Sequence, residues 1–282
     1  MTTSAQPLPD RAWLAALNDR LDQPALRARE PLALACAGRD AVLIGSIEAE
    51  LAARLVAAGL PLRAADGVWR IDVAAPADID PALGEIAHWL HAHQLTSKWR
   101  DELLAVTGPD GAAVGAIERA AVRVLGIATR SVHLVVATED GKVWVQQRAL
   151  DKAIDPGLWD TTVGGLAAAG ESVALTLERE TWEEAGLHVA DLHGLTSLGH
   201  QTVRRPVSNG YMIERIDLFT ATLMHAATPV NQDGEVARFA CIDPAQLIKQ
   251  LHANQFTWEA GMILAIWLEH LSVRAVEPLS LR

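Results

Sequence analysis

The stretch GGLAAAGESVALTLERETWEEAGL, residues 164 to 187, limits what this chain can fold into more than any other. It holds five glutamates and one arginine, and they do not sit where a solvent-facing helix would put them. Successive residues of an α-helix turn by about 100°, so with Val173 at zero, Leu177, Thr181, Ala174 and Ala185 share an arc of about 120°. That is the face the helix should bury. Glu184 falls inside the same arc and Glu180 lies beside its edge. A helix that aims two carboxylates along the border of its own core needs a reason to do so.

One reason is a cation. Glu180 and Glu184 are one turn apart on the same side, with Glu183 on the neighbouring turn, so three carboxylates converge on a small volume. Carboxylates clustered near a core edge repel one another unless a positive charge joins them. Oxygen-only ligands suit a hard divalent ion, Mg²⁺ or Mn²⁺, better than zinc. Gly164 and Gly165 let the backbone approach closely and offer a carbonyl oxygen, while Arg179 can pair with a glutamate one turn on and orient it. A charged helix with ordinary (i, i+4) pairs would use the same residue types. Glu184 inside the apolar arc and the glycine pair ahead of the helix argue against that plainer reading.

The rest of the chain frames this helix. At 282 residues, half of them hydrophobic, it exceeds one compact domain and has ample material for a core. Residues 10 to 22, 48 to 59 and 78 to 95 read as helices. PLALACAG, AVLIGSI and GVWRIDV read as short strands. Turn formers in TGPDGAAVGAIERAA suggest a boundary near residues 115 to 125, giving an N-terminal α/β domain over 1–118 and a second domain over 119–282. In the second domain SVHLVVA and KVWVQQR flank Glu139-Asp140-Gly141, a hairpin signal. A loop rich in Asp, Pro and Gly then leads to the glutamate helix. Strands follow near 195–204, 211–223 and 234–242, then helices near 244–252 and 256–271. Strands, one helix, more strands and terminal helices predict a mixed sheet between helices.

At this point the residues carry a resemblance. Gly165, five residues, Glu171, seven residues, then Arg179-Glu180-Thr181-Trp182-Glu183-Glu184-Ala185-Gly186-Leu187 is similar to the Nudix box, with every fixed position filled. The one departure is Thr181, a packing position where the pattern usually has an aliphatic residue. The resemblance implies an α/β/α sandwich in which the box forms loop, helix and loop. It also implies a metal-dependent hydrolase of diphosphate linkages, with Glu180, Glu183 and Glu184 as metal ligands and Gly164 giving its carbonyl. Gly165, Glu171 and Arg179 are then structural support. Metal ions cancel the charge of a diphosphate and lower the pKa of bound water, and a carboxylate must take that water's proton. Two residues are placed to do so: Glu183 in the box and Glu235 in NQDGEVARF.

A looser likeness points at a substrate. VWVQQRALDKAIDPGLWDTTVGGLAAAGES, DGEVARF and the closing helices resemble Nudix domains similar to the one fused to fungal thiamine pyrophosphokinase. GVWRIDV, KWRDELLAV and GAIERAA resemble the domain of unassigned function that precedes such Nudix domains. This implies hydrolysis of thiamine diphosphate, or its oxidised and damaged analogues, to the monophosphate. ADP-ribose, dinucleotides and nucleotide sugars stay open, because specificity lies in loops outside the box. Arg148 and Lys152 are expected to clamp the diphosphate, and Trp159 is expected either to stack on a heterocycle or to anchor its loop. His200, Arg204 and Arg205 lie near the expected cleft without individual roles.

PGLWDTTVGGL also resembles isopentenyl-diphosphate isomerases, whose chemistry needs a thiol and a metal-binding histidine where this chain has Gly164 and Leu166. A domain that only binds its nucleotide is the other rival, and it has no need of the full carboxylate set. The net charge of −11 disfavours nucleic-acid partners. No apolar run approaches a membrane span, and Cys36 and Cys241 are in no ligand spacing. The expectation is a soluble cytoplasmic protein with two free thiols and a small-molecule diphosphate as partner; a homodimer is left open.

Overall fold

A computed structural model describes residues 8–152, 154–224 and 227–276, with side chains described to residue 273. The chain opens with helix α1 (Arg11–Leu21), capped by the Asp10 carboxylate, which accepts from the Trp13 N–H at 2.7 Å. Strands β1 (Glu30–Cys36) and β2 (Val42–Ile47), helix α2 (Ala49–Ala57), strands β3 (Leu62–Ala65) and β4 (Val68–Val73), and helix α3 (Ile79–Ala92) follow. The four strands form one sheet in the order β2-β1-β4-β3, with β1 parallel to β4 and the other pairs antiparallel. A hairpin of β5 (Leu103–Thr107) and β6 (Ala113–Glu118) packs on α3. The close approach needs Gly115, where a Cβ would stand 2.6 Å from Cγ2 of Ile79.

The larger sheet is built from β7 (Ala128–Thr138), β8 (Val143–Arg148), β9 (Trp159–Asp160), β10 (Val163–Leu166), β11 (Leu192–Val207), β12 (Gly210–Leu223) and β13 (Val236–Ile242). Its order is β11-β12-β7-β8-β13, with β10 beside the first half of β7 and β9 beside β8. Only β7 and β12 pair in parallel, so the sheet is mixed. Alternation along β7 sends Val132, Leu134 and Val136 toward helix α4 (Val173–Ala185), where Leu177 and Ala185 meet them. Val135, with Ile216 and Leu218 of β12, faces the other way, onto α5 (Pro244–His252) and α6 (Trp258–Val276). The result is the expected α/β/α sandwich preceded by a smaller α/β unit.

Three features differ from the sequence reading. The turn-rich stretch around residues 113 to 121 contains β6 and a 3₁₀ turn at Arg119–Ala121, and the first core runs on through Val122, Val124, Leu125 and Ile127. Helix α1, first in the chain, packs instead with the second core through Leu17 and Leu21. The cores therefore do not part at residue 118. The Asp/Pro/Gly loop also contains β9 and β10, which pair through backbone alone at Gly164 and Gly165 and so leave no side-chain signal. Both cysteines are free, with Cys36 buried in β1. Among the described residues no helix is long and apolar enough to cross a membrane.

Candidate active site

Helix α4 is fixed at both ends before any chemistry is asked of it. The Ser172 hydroxyl accepts from the Leu175 N–H at 3.2 Å, and Gly186 ends the helix in the left-handed conformation at φ 62°. A side chain at Gly186 would also meet the Val230 carbonyl oxygen at 2.7 Å, so glycine is required twice over. The helix is thereby held against β10 with Glu180 and Glu184 turned toward the glycine pair.

The glycines make room for these carboxylates. A Cβ at Gly165 would lie 1.9 Å from Cδ of Glu180, and one at Gly164 would lie 2.5 Å from the His133 ring. Glu184, 4% exposed, accepts from the Gly164 N–H at 2.8 Å and from the Gln146 amide at 2.9 Å. Burial pushes its carboxyl up to about 8, and the neighbouring Glu180 adds to the shift. Burial likewise pushes Glu180 up to about 7, against the pull of Arg179.

Arg179 braces the group. Its Nε and Nη2 donate to both oxygens of Glu171 at 2.8 and 2.9 Å, and Nη2 also donates to the Leu166 carbonyl at 3.0 Å. Nη1 donates to Glu180 at 2.8 Å and to Glu183, one turn on, at 2.9 Å. Glu171 in turn accepts from the Ala168 N–H and the Thr176 hydroxyl, which ties the loop to the helix. Contrary to the convergence expected from the sequence, the three carboxylates do not form a ready cage. Among the described residues no three His, Cys, Asp or Glu side chains are placed to hold a metal ion, and one oxygen each of Glu180 and Glu183 is engaged by Arg179.

The donor chemistry nevertheless fits a hard divalent cation. Every side-chain donor is a carboxylate oxygen, Glu180 and Glu184 are buried, Glu184 has no cation bonded to it, and the glycine pair keeps their approach clear. Glu180, Glu183 and Glu184 are the side chains that would hold Mg²⁺ or Mn²⁺.

These residues border a cleft of about 330 Å³ whose floor is β10, β7 and β12. Lys152 and Glu235 both line it, joined to each other in an ion pair. Burial pushes Glu235 up, but the bond to Lys152 and its charge, together with the more distant Arg119 and Arg100, outweigh it and hold the carboxyl below its ordinary range. Arg148 lines the cleft with its fork engaged, donating to Asp160 at 3.1 Å and to the Ile154 carbonyl at 3.1 Å. Trp159 takes the anchoring role: its ring packs on the α5–α6 core under the Arg238 guanidinium at 5.2 Å, and alternation on β9 gives the cleft to Asp160. Arg205 borders the cleft paired with Glu259 at 3.0 Å, whereas Arg204 faces Asp22 and His200 is exposed.

Sequence reasoning did not reach several lining residues. His133 is 8% exposed beside Gly164; the Thr161 hydroxyl donates to the Val163 carbonyl, so Nδ1 of His133 donates to that hydroxyl at 2.8 Å. Arg119 and Arg123 reach the cleft from the segment that closes the first core. Arg119 entered the sequence reading only as part of GAIERAA, and Arg123 did not enter it.

Residues 128–262 match the family model of the NUDIX domain. A Nudix hydrolase of Pseudomonas aeruginosa is 37% identical over 95 residues, 33% of this chain and 56% of that protein. The chloroplastic Nudix hydrolase 20 of Arabidopsis thaliana is 31% identical over 187 residues, 64% of this chain and 50% of that protein. The isopentenyl-diphosphate Delta-isomerase of Rhodobacter capsulatus is 33% identical over 127 residues, 43% of this chain and 70% of that protein. The chain thus spans about half the length of these two hydrolases. Through the domain that carries the braced glutamates, the chain belongs to the NUDIX family.

Proposed function

We propose that the protein is a metal-dependent hydrolase that cuts the diphosphate linkage of a small organic diphosphate. The observation that carries this reading is the pair of buried carboxyls, Glu180 and Glu184, held against Gly164 and Gly165 and braced by Arg179. A bound Mg²⁺ or Mn²⁺ would supply charge neutralisation of the diphosphate and a lowered pKa for attacking water. Gly164 and Gln146 fix one oxygen of Glu184 and leave the other free for the ion. Glu183 is the proton acceptor: Arg179 engages one of its oxygens and leaves the other unengaged, whereas Lys152 holds Glu235 ionised and weakly basic. Arg148 and Lys152 line the cleft paired with Asp160 and Glu235, and their remaining donors would meet an incoming diphosphate.

Isomerisation of the kind named for the Rhodobacter relative finds no support in this cleft. A thiol at position 164 would collide with His133, and neither Cys36 nor Cys241 lines the cleft. Binding without turnover gives no account of two carboxyls kept buried at an energetic cost.

Within the hydrolase reading, the sequence likeness of the loop and closing helices puts thiamine diphosphate and its oxidised forms on the panel of substrates to try, beside more highly charged diphosphates. The test is release of phosphate, or of a monophosphate, from a panel of these compounds, ADP-ribose, a dinucleotide and a nucleotide sugar, with Mg²⁺ and with chelator. Activity that chelator abolishes is expected. Metal-independent activity, or none on any member, would overturn the reading; a preferred member names the substrate.

A further inference from the structure

The end of the cleft away from α4 is built by the first core. Arg123 lies on the segment joining β6 to β7, among Val122, Val124 and Leu125, which are buried in that core. Its backbone is pinned: the carbonyl accepts from the Tyr211 N–H at 2.9 Å, and a Cβ at Gly210 would stand 2.1 Å from that oxygen. Every other arginine or lysine lining the cleft has a carboxylate. Arg119 pairs with Glu102, Arg148 with Asp160, Arg179 with its three glutamates, Arg205 with Glu259 and Lys152 with Glu235. Among the described residues Arg123 alone of these cations forms no ion pair or side-chain hydrogen bond, although it lines the same space. Burial pulls its guanidinium below the ordinary value, and Glu214 and Glu259 only partly offset this from a distance.

The location gives the missing partner a place on the ligand. Arg205 on β11 and Glu214 on β12 border this end, whereas Gly164 lies on β10, across β7. At about 4.8 Å per strand the two ends are roughly 10 to 15 Å apart. A half-buried guanidinium with a free fork matches the two oxygens of a phosphate or carboxylate.

We propose that Arg123 seats a second oxyanion of the substrate, a phosphate or carboxylate remote from the scissile diphosphate, so that the first core reads the substrate's far end. This rests on the cleft being the diphosphate site, and it favours substrates with more anionic groups than thiamine diphosphate carries.

The test needs no turnover. Full-length protein is titrated calorimetrically with inorganic phosphate and with succinate, in chelator so that no divalent ion draws the anion to the glutamates. Wild type is expected to bind saturably, Arg123→Gln at least about tenfold more weakly, and Arg123→Lys in between because it keeps the charge without the fork. The tighter of the two anions names the group. Equal affinities in wild type and Arg123→Lys, or no saturable binding by wild type, would overturn the proposal, and Arg123→Lys serves if the glutamine variant does not fold. Intact anion binding without hydrolysis of any diphosphate would remove the functional reading alone. Metal-dependent hydrolysis with no effect of Arg123 on anion binding would remove this one alone.

Discussion

Glu184 meets only one backbone N–H and one amide in a setting that excludes water, so its carboxyl keeps its proton to about pH 8, and Glu180 keeps its own to about 7. Both values stand above the ordinary 4.5, so the folded protein binds more protons than the unfolded chain between those limits. Without metal, the cost of burying their charge is absent below about pH 4.5, and it grows, lowering stability, as pH rises toward 8. A divalent ion must displace the same protons, so Mn²⁺ should bind more tightly as pH rises through about 7 to 8 and release protons as it does. Calorimetry in two buffers of different ionisation heat checks this; an affinity flat across that window contradicts it. For the general base, Glu183→Gln should cost at least about 100-fold in kcat and Glu235→Gln less than about tenfold. The reverse order would move the role to Glu235. At this scale the glutamates were legible because helical periodicity alone placed Glu184 on the apolar side. Arg123, Asp160 and His133 were not, because strands distant in sequence bring them to the cleft and no local pattern marks them.

Among the elements, α4 and β10 work as one part. Gly165→Ala should dislodge Glu180, whose Cδ stands 1.9 Å from the new Cβ, costing about 1–3 kcal/mol of stability together with metal affinity. Thermal melts with and without Mn²⁺ would show both losses, and an unchanged response to Mn²⁺ would contradict the close fit. The ends of α4 could be read from Ser172 and Gly186, since capping is a local property. The short strands β9 and β10 could not, because two glycines pair through backbone only. β6 was hidden for a different reason: Gly115, which reads as a turn former, is there to let α3 approach.

For the whole molecule, the two cores share a seam rather than a linker. Val122, Val124, Leu125 and Ile127 complete the first core, while α1 covers the second. A fragment of residues 119–282 would expose that apolar segment and strip α1 from α6. It should show no cooperative melt where the full chain does, as followed by circular dichroism; an unchanged melt would mean the seam carries no stability. The same seam explains how a family domain of residues 128–262 acquires a cleft wall from outside its own limits. The central claim is that buried carboxylates on α4 bring a divalent ion to a diphosphate. Its most direct test is turnover of the preferred panel substrate by Glu184→Gln at saturating Mg²⁺, beside wild type and at matched folding. A loss of about 100-fold or more is predicted, since the change keeps the shape and removes one ligand charge; near-normal turnover would contradict it.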